Sequence, residues 1–286
     1  MIIDTPLRVS APAKLNLFLH VTGQRADGYH SLQTVFQLLD IGDTLEISAQ
    51  QTGEIILQAP DLGIVDRDNL VVRAALALKN LPTTPRHCGA RIRLEKHLPS
   101  GGGLGGGSSD AASTLLALNT LWNLRLSRAS LAAIGAGLGA DVPVFVHGHS
   151  AWAEGIGEQL SPLDLPETWY VVIKPDCAVN TGKIFSHRQL TRNSAPITMH
   201  AFFAGAFRND CQPIVRQLYP AVDNALNWLQ NFGDARLTGT GACVFCRCDN
   251  RASARSIVQQ VPAPWRAWAT RGLDRSPALD EIESVR

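Results

Sequence analysis

The stretch Gly101-Gly102-Gly103-Leu104-Gly105-Gly106-Gly107-Ser108-Ser109-Asp110 limits what this chain can fold into more than any other. Six of its ten residues are glycine, the residue that loses most conformational freedom on ordering, so the run needs a compensating role. Arg91 to Lys96, just before it, alternates polar and apolar side chains as a strand does. Ala111 to Leu121, just after it, is rich in Ala and Leu and predicts a helix, with Ser108, Ser109 and Asp110 where N-caps belong. The predicted unit is strand, bare backbone loop, helix N-terminus. Unpaired N–H groups and the positive end of the helix dipole converge there, which favours a bound phosphate. Flexible linkers are not usually clamped between a strand and a capped helix.

Two common phosphate templates fail on named residues. A P-loop needs Lys after its last Gly, and Gly107 is followed by Ser108. Gly101, Gly103 and Gly106 meet the dinucleotide pattern formally, but that pattern wants an acid about 20 residues on. Thr120 to Ser130 contains none. What remains is a nucleotide-phosphate loop of another type, with serine hydroxyls at the helix start.

The rest of the chain supplies a setting for that loop. Its 286 residues suffice for one large or two modest domains. With 45% hydrophobic and 18% charged residues and a formal charge of +1, neither a nucleic-acid partner nor an anionic membrane is signalled. No secretory signal and no membrane-length apolar run is expected. Six cysteines without such a signal suggest reduced thiols in a cytoplasm.

Along the chain, Leu15, Leu17, Leu19 and Val21 are expected on one face of a strand and Lys14 and Asn16 on the other, either as a solvated edge or as a pair lining a cleft. The turn Asp27-Gly28 presents Tyr29 and His30 from a loop. Phe36 to Ala49 and Glu54 to Leu57 predict short strands, with turns at Gly42 and Gly53. Asp68-Asn69 cap a helix starting at Leu70. Ser127 or Ser130 caps another through Ala136. Asp141, ahead of Val142-Pro143, is expected to enter an apolar strand through Val146. It serves there either as a helix-ending turn residue or as a carboxylate in use. Pro162 to Pro166 predicts a linker. The strand Tyr170 to Lys174 then opens a second half. Thr181 is expected to cap a helix to about Leu190, with Phe185 one turn in. Helices follow at 199–208, 211–218 and 221–231. Leu237-Thr238-Gly239-Thr240-Gly241-Ala242 is a second glycine turn, of anion-nest type, leading into a strand. Cys243, Cys246 and Cys248 lack the second ligand pair that a zinc site needs. A helix at 253–260, a strand at 265–271 and a frayed end over Asp280 to Arg286 complete the reading.

Three stretches stand together in order: Ala11-Pro12-Ala13-Lys14-Leu15-Asn16, Leu98-Pro99-Ser100 through Ser109, and Leu237 through Ala242. Together they resemble the GHMP kinase superfamily, small-molecule kinases that use such a loop in place of a P-loop. Asp27-Gly28-Tyr29-His30 and Gly139-Ala140-Asp141-Val142-Pro143 narrow the resemblance to the branch acting on cytidine diphosphate methylerythritol in the non-mevalonate isoprenoid route. The rival within the superfamily is a small-alcohol kinase of homoserine or mevalonate type, which has no evident use for two aromatics and a His around a pyrimidine. Outside it stand a nucleotide-binding module without catalysis and a nicotinamide oxidoreductase. The resemblance implies an α/β (α+β) fold in two domains, 1–160 binding ATP and 161–286 on the substrate side, with the active site in the cleft between. It implies Lys14 and Asp141 as the catalytic pair. Asn69, Leu70 and Lys96 would lie near adenine, and Pro99, Ser100, Gly101, Gly102, Gly103, Leu104, Gly105, Gly106, Gly107, Ser108 and Ser109 would wrap the triphosphate. Tyr29 and Phe185 would sandwich the cytosine, with His30 on its edge. Asn16, Thr181, Thr238, Gly239, Thr240 and Gly241 would complete the substrate side. ATP implies Mg²⁺, for which no ligand can be assigned. A monomer or homodimer is expected, with a small-molecule substrate as partner.

Overall fold

Two long strands carry the first half of the chain: β1 (Leu7–Gln24) and β2 (His30–Gln50), paired antiparallel from Leu7↔Ile47 to Gln24↔His30. The computed structural model describes residues 6–61, 63, 65–205 and 207–285. After β2 come β3 (Ile55–Gln58), a 3-10 turn (Asp66–Asp68), α1 (Leu70–Lys79), β4 (Gly89–Glu95), α2 (Gly106–Leu121), α3 (Arg128–Ala136) and α4 (Val142–His147). Next are β5 (Ala151–Glu154), β6 (Gln159–Pro162), β7 (Trp169–Lys174), α5 (Thr181–Phe185), α6 (Met199–Phe203), α7 (Gln212–Leu218) and α8 (Pro220–Leu229). The chain closes with β8 (Arg236–Leu237), β9 (Val244–Cys248), α9 (Arg251–Gln259), β10 (Arg266–Leu273) and α10 (Pro277–Glu283).

Among the described residues the strands join in the order β3-β4-β2-β10-β7-β9-β8, with β1 and β5 also on β2. β10 therefore stitches the strands of the first half to those of the second. One core lies between β1, β2, β4 and the helices α1, α2 and α4, around Val9, Ile47, Ile92, Leu115 and Val146. A second packs β7 and β9 against α7, α8 and α9, around Ile173, Val215, Leu226, Val244 and Ile257. Ala13, Leu15, Leu39, Leu104, Tyr170 and Phe245 fill the seam between them.

Several local expectations are corrected. Gly42 is not a turn. β2 runs straight through it, and a Cβ there would lie 2.4 Å from the Ala11 carbonyl oxygen, so only glycine admits the close approach of β1 beside its bulge. Bulges also split the alternating face of β1: Leu15 and Leu17 pack in the seam, whereas Leu19 and Val21 pack in the second core. The apolar run after Asp141 is helix α4, not a strand. Periodicity cannot separate the two over so short a buried run, and Pro143 suits a first helical turn. Helix α5 is shorter than expected and is capped by Asn180, which frees the Thr181 hydroxyl. The end is not frayed through its described residues: α10 returns to the first core and buries Ala278, Leu279 and Ile282. Arg286 lies outside the described residues.

Candidate active site

The glycine run folds into a loop that two neighbours grip. From β1, the Lys14 N–H donates to the Leu104 carbonyl at 2.9 Å. From the turn before β9, Ala242 and Cys243 N–H groups donate to Gly101 and Gly102 carbonyls at 3.3 and 3.0 Å. The chain then turns through Gly105 at φ +73°, a left-handed conformation that favours glycine, and enters α2. Helix α2 begins at Gly106, earlier than expected, so Ser108, Ser109 and Asp110 lie inside it and do not cap it. Gly105 is the N-cap and has no side chain to accept from the first turn. The first helical bond is Ser109 N–H to the Gly105 carbonyl at 2.8 Å. The N–H groups of Gly106, Gly107 and Ser108 precede it and lack that kind of partner, which suits them to an anion at the helix dipole's positive end.

Lys14 lies under this loop. Its side chain is 4% exposed, and its Nζ donates to Asn16 Oδ1 at 2.6 Å and stands 3.2 Å from Asp141 Oδ2. The solvated-edge alternative for Lys14 and Asn16 is thereby set aside, because both side chains are buried. Asn16 is fixed in turn. Its Nδ2 donates to Thr34 Oγ1 at 3.0 Å, and its N–H donates to Thr238 Oγ1 at 2.9 Å. Asp141 stands at the start of α4 with its side chain 34% exposed. A buried ammonium thus meets a carboxylate open to the cavity.

That cavity measures about 750 Å³ and is lined by Lys14, Asn16, Asp141, Tyr29, His30, Thr181, Phe185, Arg192, Gly239, Thr240 and Gly241, among others. A second cavity of about 430 Å³ holds Asn69, Leu70, Lys96, Pro99 through Ser108, and Asp110. The two share Gly101, Gly103 and Ser108 as a common wall. Asn69 caps α1 through Val71 N–H at 2.9 Å. Lys96 is buried between Asp43 and Asp110. Two predicted residues line neither cavity: Ser109 and Thr238 are fully buried, and Thr238 braces Asn16 from below.

At the far end of the large cavity Tyr29 is 61% exposed on its turn, held by its own N–H donating to Asp27 Oδ1 at 3.0 Å. His30 stacks on Phe185 with ring centroids 5.2 Å apart, and Thr181 and Thr240 hydroxyls bond at 2.8 Å. Arg192 Nε donates to His30 Nε2 at 3.0 Å, and its Nη2 donates to the Phe185 carbonyl at 2.7 Å. Burial, reinforced by the Arg192 charge, lowers the His30 pKa below 6.5, so the ring is neutral near pH 7. With Nε2 accepting, the proton sits on Nδ1. Sequence reasoning missed Arg192, which sits in irregular chain with no motif around it. It also missed Thr34, Phe36 and Asp43, which read as ordinary strand or turn residues.

Comparison with known proteins gives the family. Residues 69–149 match the family model described as GHMP kinases N terminal domain, and residues 192–267 match GHMP kinases C terminal. The fold is that of a GHMP kinase, a phosphotransferase class that draws on ATP. The chain is 51% identical over 287 residues to 4-diphosphocytidyl-2-C-methyl-D-erythritol kinase of Marinobacter nauticus, covering 99% of each, and 52% identical over 283 residues to that of Chromohalobacter salexigens, covering 96% of this chain and 94% of the relative. It belongs to the 4-diphosphocytidyl-2-C-methyl-D-erythritol kinase family. A crystal structure of 4-(cytidine 5'-diphospho)-2C-methyl-D-erythritol kinase superposes with a TM-score of 0.81 at 33% identity, covering 93% of this chain and 100% of that one. A mevalonate kinase shares the fold at a TM-score of 0.69 and 18% identity, covering 94% of this chain and 100% of that one. Among the described residues no helix is long and apolar enough to cross a membrane.

Proposed function

We propose that this cleft moves the γ-phosphoryl group of ATP onto the 2-hydroxyl of 4-diphosphocytidyl-2-C-methyl-D-erythritol, in the non-mevalonate isoprenoid route. The observation that carries this reading is the Lys14–Asp141 contact of 3.2 Å, in a cavity that shares a wall with the loop cavity. ATP lies along Pro99 to Ser108 with its base toward Asn69, Leu70 and Lys96, which makes residues 1–160 the nucleotide half. The cytidine end of the acceptor lies toward Tyr29, His30 and Phe185. Residues 161–286 contribute Phe185, Thr181, Arg192 and the 239–241 turn, which makes them the substrate-side half.

The chemistry follows from the groups present. Asp141 takes the hydroxyl proton as the oxygen's electron pair forms a bond to the γ-phosphorus; the bond from that phosphorus to the β,γ-bridging oxygen breaks, and ADP leaves with its electron pair. Lys14 offsets charge on the transferring oxygens, and the free N–H groups of Gly106 to Ser108 hold the phosphates in place. Phosphoryl transfer depends mainly on such positioning and charge neutralisation. Of the carboxylates bordering the cavities, Asp141 is paired with Lys14 and Asp110 with Lys96, which leaves Asp68 as a single further acid; no three metal-ligating His, Cys, Asp or Glu side chains come together among the described residues, so the donor set does not fit a protein-held magnesium ion. The ion belongs to the ATP phosphates as part of the substrate. The six thiols and near-neutral charge support a cytoplasmic enzyme without nucleic-acid or membrane partners, monomeric or dimeric.

An ADP-release assay over 4-diphosphocytidyl-2-C-methyl-D-erythritol, homoserine and mevalonate tests the reading. Turnover of the first alone is expected, and preference for either of the others overturns it. Within that assay, Tyr29→Ala is expected to raise the KM for the cytidine substrate roughly 5- to 150-fold with kcat little changed, since stacking one base on an aromatic ring is worth about 1–3 kcal/mol. An unchanged KM would remove Tyr29 from the base site. Because His30 binds as the neutral ring, KM should stay flat as pH falls to 6.5 and rise only below it, where a proton on His30 faces Arg192.

A further inference from the structure

Beneath the start of α2 lies a charge cluster that the transfer chemistry leaves unused. Lys96, just beyond β4, places its ammonium between Asp43 of β2 and Asp110, the fifth residue of α2, whose Oδ2 is 2.8 Å away. All three side chains are nearly or wholly buried. The two acids are not equivalent. Asp43 accepts from Lys96 and also from His97 and Leu98 backbone N–H groups at 2.6 and 2.8 Å. Asp110 accepts from Lys96 through Oδ2, while its buried Oδ1 has no hydrogen-bond partner among the described residues. With both acids ionised the cluster carries one net negative charge, and with one proton added it is neutral. A buried uncompensated charge is costly, so a proton entering the cluster goes to the less satisfied oxygen, Asp110 Oδ1. Burial pushes the Asp110 carboxyl up to about 7, against the pull of Lys96 and with Asp43 adding to the rise. Burial opposes the charge on Lys96, but the two carboxylates outweigh it and raise its pKa.

The cluster adjoins the phosphate-facing groups. A Cβ built on Gly106 would lie 3.3 Å from both Asp43 Oδ2 and Lys96 Nζ, and Asp110 follows four residues later, about 6 Å along the helix. Asp110 also lines the loop cavity. Other charged groups on elements packed against α2 are engaged elsewhere. Lys14 is held by Asp141 and Asn16, and Lys79 bonds the Gly53 carbonyl. Arg128 bonds α4 carbonyls and Glu283, His147 lies beside Arg128, Glu281 accepts from Ser10, and Asp280 pairs with Arg275. Arg8, Glu46 and Arg73 face solvent.

We infer that loading ATP onto the 101–109 loop draws a proton from solvent onto Asp110 Oδ1, so that nucleotide binding is proton-coupled. This rests on the reading that the loop holds the ATP phosphates. Several negative charges then arrive behind one turn of helix, in a poorly screened interior, and oppose the deprotonated form of the cluster. One O–H bond forms and the solvent or buffer loses the proton.

Titration calorimetry of Mg·ATP into the full chain, around pH 8 in two buffers of unlike ionisation enthalpy, reads the proton count directly. The wild type is expected to take up a substantial fraction of a proton per ATP bound, and Asp110→Asn close to none. Equal counts in both proteins overturn the coupling and leave Lys96 alone balancing the phosphates. Absence of ATP binding to the wild type overturns the loop reading itself, a distinct result. Should the variant fail to fold, the Asp110 carboxyl ¹³C shift in the wild type serves instead. Movement toward the protonated value on adding ATP supports the coupling, and no movement overturns it.

Discussion

Asp141→Asn is expected to lower kcat by about 10²–10⁴-fold, the usual contribution of a positioned general base, while ATP binds with unchanged affinity. The substitution keeps the shape of the side chain and removes its capacity to take a proton. Asp141 lines the acceptor cavity and not the loop cavity, so the nucleotide contacts stay in place. Lys14 loses its ion pair at 3.2 Å but keeps its 2.6 Å bond to Asn16, so its ammonium remains anchored. Single-turnover kinetics with saturating ATP, beside a direct ATP titration, separate the two effects. Near-normal turnover would take the base role away from Asp141. A parallel loss of ATP affinity would mean that the two cavities are not independent.

The second large effect is expected at Gly103. A Cβ there would lie 2.6 Å from the Thr238 carbonyl oxygen and 3.0 Å from that of Gly241, both backbone atoms that cannot rotate aside. Gly103 also holds φ +76°, which costs an L-residue roughly 1–2 kcal/mol before any clash. Gly103→Ala must part the phosphate loop from the 238–241 turn, and Thr238 is the brace of Asn16, which orients Lys14. The expected result is at least about a tenfold loss of kcat/KM for ATP, equivalent to about 1.4 kcal/mol, with kcat also reduced. Gly101→Ala is the control: it too has a positive φ, +64°, but its Cβ meets nothing within 4 Å. Equal behaviour of the two variants would sink the claim that loop and turn act as one unit.

The local features of this site were readable from residue types. The cap at Asn69 formed as its position before an apolar run dictates, because a side-chain oxygen there meets a free helical N–H. The bare loop before α2 was visible as glycine density. Its helix starts earlier than Ser108 to Asp110 predict, because the left-handed Gly105 stands at the N-cap and no local propensity distinguishes one glycine of six. Asp141 stands out in the sequence as a carboxylate before an apolar run, yet that run forms helix α4 and not the strand its composition predicts, because so short a buried run carries no decisive period.

The sequence by itself determined which backbone could approach a phosphate, that Asn69 and Ser127 cap helix starts, and which side chains had the chemistry for phosphoryl transfer. Those depend on bond rotation, on the absence of a Cβ and on functional groups, all carried by a residue and its near neighbours. Only the tertiary structure decided that Lys14 meets Asp141, that Thr238 turns inward to hold Asn16, that Arg192 fixes the tautomer of His30, and that Asp110 is buried beside Lys96. Each of those pairs residues from separate elements, 14 to 222 positions apart. Their meeting depends on how strands bulge, cross and pack, and on the solvent that packing excludes, which no short window of sequence encodes.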